Sequence, residues 1–188
     1  SNNTKDIYPH EIYLSATPIP RSLSLVLYEG LDYTVIDQLP KGRKPIITKL
    51  IDSEEKDGLY DDILKILQLN QQIYWVCSCI DFTETLETEY LKSMYEKLST
   101  RFKNHNIEVL HGRNDPKENT KNMKLFIEGK IDILVCTTMI EVGVDVKNAT
   151  CIVIEDSNRF GLSQLHQLRG RVGTVSYTHL TLPTKQDV

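Results

Sequence analysis

Four polar segments of the chain concentrate the residue types that handle phosphate. They are Ser15-Ala16-Thr17-Pro18-Ile19-Pro20-Arg21, then His111-Gly112-Arg113, then the stretch from Thr137-Thr138 through Gly143 and Asp145 to Val146, and finally Gln164 to Gly173. Hydroxyls, glycine backbone N–H groups and arginines are the groups that meet phosphate oxygens without reading a base. The last segment carries Gln167, Arg169, Gly170 and Arg171 within one helical turn or so. Taken singly, each has an ordinary reading: a turn before a helix, a strand exit, a helix cap, a solvated helix end. What they share is position, because each follows or closes an apolar run.

Those runs supply the elements that must position them. Glu11–Leu14, Pro45–Ile51, Ile73–Cys77, Ile107–Leu110, Ile131–Cys136 and Cys151–Ile154 read as strands, continuous rather than alternating, as in parallel sheets covered on both faces. Between them lie helical stripes: Tyr60, Ile63, Leu64, Ile66 and Leu67; then Leu86, Tyr90, Leu91, Met94, Tyr95 and Leu98; then Met123, Leu125 and Phe126; then Leu162, Leu165 and Leu168. Asp115 before Pro116 is the expected N-cap of the third helix, and Gly129 its expected stop. Strand–helix alternation predicts a doubly wound, mainly parallel sheet, in which chemistry sits beyond the strands' carboxyl ends.

Composition narrows the classes. The chain has 188 residues, a formal charge of −4 and 26% charged residues, which fits an α/β domain and argues against a protein that coats nucleic acid. No apolar run reaches transmembrane length, and Ser1 to Lys5 shows no secretory pattern, so no membrane partner and a cytoplasmic location are expected. The four cysteines, Cys77, Cys79, Cys136 and Cys151, have no zinc-ligand or C-x-x-C spacing and read as reduced core residues; no metal site is expected. No G-x-x-x-x-G-K-S/T loop and no acidic Mg²⁺-binding strand end occurs, so these residues alone cannot cradle nucleotide phosphates.

Together and in this order, the four segments resemble the C-terminal half of a superfamily 2 helicase, and most closely the RecG ATP-dependent DNA helicase family. The resemblance runs from about Tyr8 to Gly173. It implies a RecA-like three-layer αβα domain with a mainly parallel sheet. It implies a motif III role for Ser15, Ala16 and Thr17, linking nucleotide state to lobe position. His111, Gly112, Arg113, Thr137 and Thr138 would meet the DNA backbone. Gly143 and Asp145 would approach the nucleotide ribose. Gln167, Arg169, Gly170 and Arg171 resemble motif VI, with Arg171 reaching the ATP phosphates as an arginine finger, a role worth roughly 10³–10⁵ in rate in other NTPases.

The resemblance also implies an organisation: residues 1–21 end motor lobe 1, residues 22–44 link the lobes, and residues 45–173 form the C-terminal lobe. The implied parent is a bacterial, nucleoid-associated monomer that uses ATP and Mg²⁺, held mainly by lobe 1 of the same polypeptide, to remodel branched or duplex DNA such as stalled forks and Holliday junctions. A transcription-repair coupling factor shares two of the motif blocks and is the alternative parent. As an isolated piece, a non-catalytic DNA-binding lobe is the alternative activity. Three departures stand out. Thr174 replaces the arginine that usually follows Arg-Gly-Arg-Val-Gly, Lys147 replaces a proline after motif V, and Asn114 replaces a methionine after His-Gly-Arg. All likeness stops after Gly173. Back-translated, Val175–Thr184 matches the reverse complement of a transposon sequencing adaptor, so residues 174–188 are expected to be a non-native tail and are set aside from fold reasoning.

Overall fold

The computed structural model describes Thr34 and residues 46–52, 55–79, 82–112, 114–137 and 146–172, together with the backbone of 177–181. Ser15, Ala16, Thr17, Arg113, Thr138, Gly143, Asp145 and Thr174, and the strand expected at Glu11–Leu14, lie outside these residues. The chain divides into compact units at Ser1–Ile36 and Asp37–Val188. The second holds everything described below.

Six strands form one sheet in which every pairing is parallel: β1 (Ile47–Ile51), β2 (Gln72–Val76), β3 (Ile107–Leu110), β4 (Ile133–Cys136), β5 (Ala149–Ile154) and β6 (Tyr177–Thr181), in the order β1-β6-β5-β2-β4-β3. The helices are α1 (Lys56–Gln68), α2 (Glu84–Arg101), α3 (Pro116–Ile127) and α4 (Leu162–Arg169). Successive strand residues point to opposite faces. In β2, Ile73 and Trp75 pack with α1 and α2 residues such as Ile63 and Leu98, while Tyr74 and Val76 pack with Phe126 of α3 and Leu168 of α4. The result is a three-layer αβα domain, as expected from the continuous apolar runs.

Local signals act as read. The Asp115 side chain accepts the Lys117 backbone N–H at 2.9 Å, with Pro116 in the first turn of α3. Gly129 ends α3 at φ 73°, a left-handed position where a Cβ is strained. Removing the cap in Asp115→Ala is expected to lower stability by about 1 kcal/mol. A denaturant titration checks this, and the equally sized Asp115→Asn, whose side-chain oxygen can still accept the Lys117 N–H, should keep most of the wild-type stability.

Three expectations need correction. β1 is not covered on both faces: Ile47 and Leu50 are 52% and 63% exposed, because β1 is the sheet's edge. The α4 stripe is only partly apolar contact: Leu168 is buried and Leu165 half-buried, but Leu162 is 79% exposed at the first turn. In α2, Leu86 and Tyr95 also face outward, and Leu91, Met94 and Leu98 alone are buried. Cys77, Cys136 and Cys151 are free and buried, and Cys79 is half-buried. Burial pushes their thiols up, that of Cys79 to about 11, so none is a reactive thiolate near neutrality.

β6 lies within the segment that reads as a non-native tail. Its backbone pairs with β1 on one side and β5 on the other. Tyr177-Thr178-His179-Leu180-Thr181 is rich in β-branched and aromatic residues. Such a sequence suits a strand position between two others whatever its origin.

Candidate functional site

The carboxyl ends of the parallel strands form one row. Leu110 pairs with Cys136, Val76 with Cys136, and Val76 with Ile154. The next residues therefore stand side by side in the order Glu155, Cys77, Thr137, His111, with neighbouring strands about 4.8 Å apart. Two backbone bonds extend the ladder into this row, from the Cys77 N–H to Cys136 O at 2.8 Å and from the Glu155 N–H to Val76 O at 2.9 Å.

His111 and Gly112 close the β3 end. The His111 carbonyl accepts from the Asn114 N–H at 3.1 Å and from Asn119 Nδ2 at 2.7 Å, which ties the exit to the first turn of α3. Gly112 is exposed, and His111 Nδ1 has no partner among the described residues. The loop thus offers the accessible backbone of Gly112 on a braced frame, while His111 Nδ1 is buried. Thr137 is 4% exposed and serves packing in this conformation. Thr138, the other member of the threonine pair, lies outside the described residues.

The arginine segment is built by a different route. After β5 the chain turns sharply at Asp156, whose φ of 49° and ψ of 48° are left-handed, and passes through a 3-10 turn at Ser157–Arg159. Phe160 buries beneath the turn. The Gly161 N–H then donates to the Gln164 side chain at 3.0 Å, which starts α4. Gln167 is exposed, while Arg169 and Arg171 are half-buried at the helix end, where the dipole favours cations. Arg169 Nε is buried and has no partner among the described residues. An isolated parallel bridge joins Val146 to Val172, both buried. It fastens the residue after Arg171 to the residue after Asp145, so the two segments expected to share a nucleotide meet at this bridge.

Sequence reasoning passed over Glu155, Lys56 and Asp156. Lys56 Nζ lies 2.9 Å from Glu155 Oε2, and the Glu155 side chain is 2% exposed. The signal was available in part, since Glu155-Asp156 directly follows the Cys151–Ile154 run. Arg159 stacks its guanidinium over Phe82 at 5.4 Å. Burial, helped by the Glu155 charge, raises the Asp156 carboxyl above its ordinary 3.8. A carboxyl raised in the folded state costs stability once ionised, and the cost appears as pH rises through that value. Asn also tolerates the left-handed region better than most residues. Asp156→Asn is therefore expected to raise Tm at pH 7, with the advantage fading below pH 3.8; equal Tm at pH 7 contradicts this.

Among the described residues, no group of three or more His, Cys, Asp and Glu side chains is placed to hold a metal ion. No helix among them is long and apolar enough to cross a membrane.

The model of the helicase conserved C-terminal domain matches residues 58–176, more than half of the chain. The chain belongs to this helicase family. The helicase lobe is 44% identical over 167 residues to the ATP-dependent DNA helicase RecG of Haemophilus influenzae, which covers 88% of this chain and 24% of that protein. It is 46% identical over 169 residues to RecG of Aquifex aeolicus, covering 90% of this chain and 21% of that one. The lobe thus spans about a quarter of the length of these relatives. Among solved structures, RecG bound to a three-way DNA junction superposes with a TM-score of 0.73 at 40% identity, over 91% of this chain and 22% of that one. The second domain of the DEAD-box helicase Mss116p, bound to an RNA duplex, superposes with a TM-score of 0.54 at 17% identity, over 73% of this chain and 54% of that one, a likeness of fold alone.

Proposed function

We propose that this lobe is the C-terminal motor lobe of a RecG-like ATP-dependent DNA helicase that remodels branched DNA. The observation that carries the reading is the bridge between Val146 and Val172, the residues that follow Asp145 and Arg171 in sequence, on a lobe similar to that of a junction-bound RecG. ATP and Mg²⁺ would sit mainly on lobe 1 of the same polypeptide. This lobe would close on the nucleotide with Gln167, Arg169 and Arg171, and Gly143 and Asp145 would meet the ribose. The donor set fits: two guanidiniums at a helix end, one with a buried Nε that has no partner among the described residues, are suited to polyphosphate oxygens.

DNA would lie against the row of strand ends, with His111, Gly112, Arg113, Thr137 and Thr138 along its backbone. Such contacts hold register without choosing sequence, as a translocase requires. Ser15, Ala16 and Thr17 would couple the lobes. A monomeric cytoplasmic parent acting at the nucleoid completes the reading.

Gel assays of the full-length parent with a replication fork, a four-way junction and a linear duplex test it. The expected result is ATP-dependent strand displacement or regression on the branched substrates and little on the linear one. Failure on all three, with the protein folded and ATP present, contradicts the reading.

A further inference from the structure

The ion pair between half-buried Lys56 and buried Glu155 has no part in the roles above. Lys56 opens α1, where a cation meets the unfavourable end of the helix dipole. Its partner is 99 residues away in sequence, at the last in-register position after β5. Desolvating the Glu155 carboxylate, 2% exposed, is costly, and apolar residues of similar volume in such places are often no less stable. Stability alone therefore gives no reason for the pair.

Position does. Glu155 is the last fixed point before the chain turns at Asp156 and runs into α4. α4 is eight residues long and buries only Leu168, so its own packing constrains it weakly. The connection is tied at two ends: at its start by Glu155 to Lys56 at 2.9 Å, and past its finish by Val172 to Val146. Arg169 and Arg171 lie between the ties. A shift of the β5 end relative to α1 would be passed along this short path to both guanidiniums.

We propose that the Lys56–Glu155 ion pair is a positioning device that locks the β5–α4 connection to α1 and so fixes where the α4 arginines stand. Lys56 and Glu155 are positioning residues, and the proposal rests on the reading of Arg171 given above.

The test uses the full-length parent with forked DNA. The apolar double variant Lys56→Met/Glu155→Leu is expected to keep or raise Tm and to hold KM for ATP within about twofold, while kcat falls at least about tenfold, as misplacement of a reacting group by a fraction of an ångström or more does. Lys56→Arg, which keeps a cation for Glu155, is expected to keep kcat within about threefold, and Lys56→Met alone is not. Wild-type kcat in the double variant overturns the proposal, as does equal loss in Lys56→Arg and Lys56→Met. The pair of single variants decides the matter if the double variant does not fold. Arg171→Ala is run alongside. Turnover surviving in Arg171→Ala overturns the underlying reading of α4, whereas a silent Arg171→Ala beside a fully active double variant overturns the positioning role alone.

Discussion

Alanine at Arg171 in the full-length parent is expected to abolish DNA-stimulated ATP hydrolysis, a loss of roughly 10³-fold or more, with little change in DNA affinity. The physical case begins with placement. Arg171 follows α4 directly and precedes Val172, which is 1% exposed and bridged to Val146. Its backbone is therefore held from both sides, and its side chain is half-buried. A preorganised cation in a cleft from which water is expelled stabilises the charge that develops on a transferring phosphoryl group, and it needs no reorganisation at that moment. Lysine should rescue poorly, since a single ammonium lacks the planar fork that engages two oxygens. DNA binding should survive because the groups assigned to DNA lie at the other end of the row, beyond β3 and β4. ATPase rates with forked DNA, beside fluorescence anisotropy with the same DNA, check both halves. Unchanged turnover would remove the finger assignment.

The second large effect is on stability. Trp75 on the central strand β2 is fully buried and stacks on Tyr60 of α1, with centroids 6.3 Å apart and planes 13° from parallel. Phe102 meets Tyr60 edge-on at 5.9 Å, and Arg101 covers the Tyr60 ring at 5.2 Å. Trp75→Ala opens a cavity at the centre of the α1/α2 layer and is expected to cost about 3–5 kcal/mol. Against a typical total of roughly 5–15 kcal/mol, that leaves the lobe near unfolding at 37 °C. Tyr60→Phe is the contrasting control. The Tyr60 hydroxyl is buried without a partner among the described residues, so its removal should be neutral or stabilising. Urea titrations of both variants check the pair. Equal destabilisation would mean that the hydroxyl has a partner in solution.

The same contrast shows what was legible in the sequence. Short-range features were. The Asp115 cap, the Pro116 start and the Gly129 stop each act through a bond or dihedral within a few residues, so type and spacing were enough. The β2, β4 and β5 runs were legible because strands buried on both faces carry nearly unbroken apolar sequence. Features that depend on which strand neighbours which were not. Ile47 and Leu50 look like core residues in sequence, and only the position of β1 at the sheet edge exposes them. Leu162 fits a helical stripe, yet the first turn of α4 overhangs the layer it would pack on.

The site follows the same division. The residues proposed to handle phosphate stood out because they follow apolar runs in the sequence. The Lys56–Glu155 pair was not, because its members are 99 residues apart and meet only when α1 and β5 are in place. The Val146–Val172 bridge is likewise a product of topology. The mild overall charge of −4 also reads differently once the fold is known. It averages over a lobe whose proposed nucleic-acid contacts are confined to the strand ends.

The central claim is that this lobe supplies arginines to a nucleotide that another lobe must hold. Steady-state ATP hydrolysis with forked DNA, measured for these 188 residues alone and for the full-length parent, tests it most directly. The predicted result is no turnover above background for the 188 residues and DNA-stimulated turnover for the parent. DNA-stimulated turnover by the 188 residues alone would contradict the account.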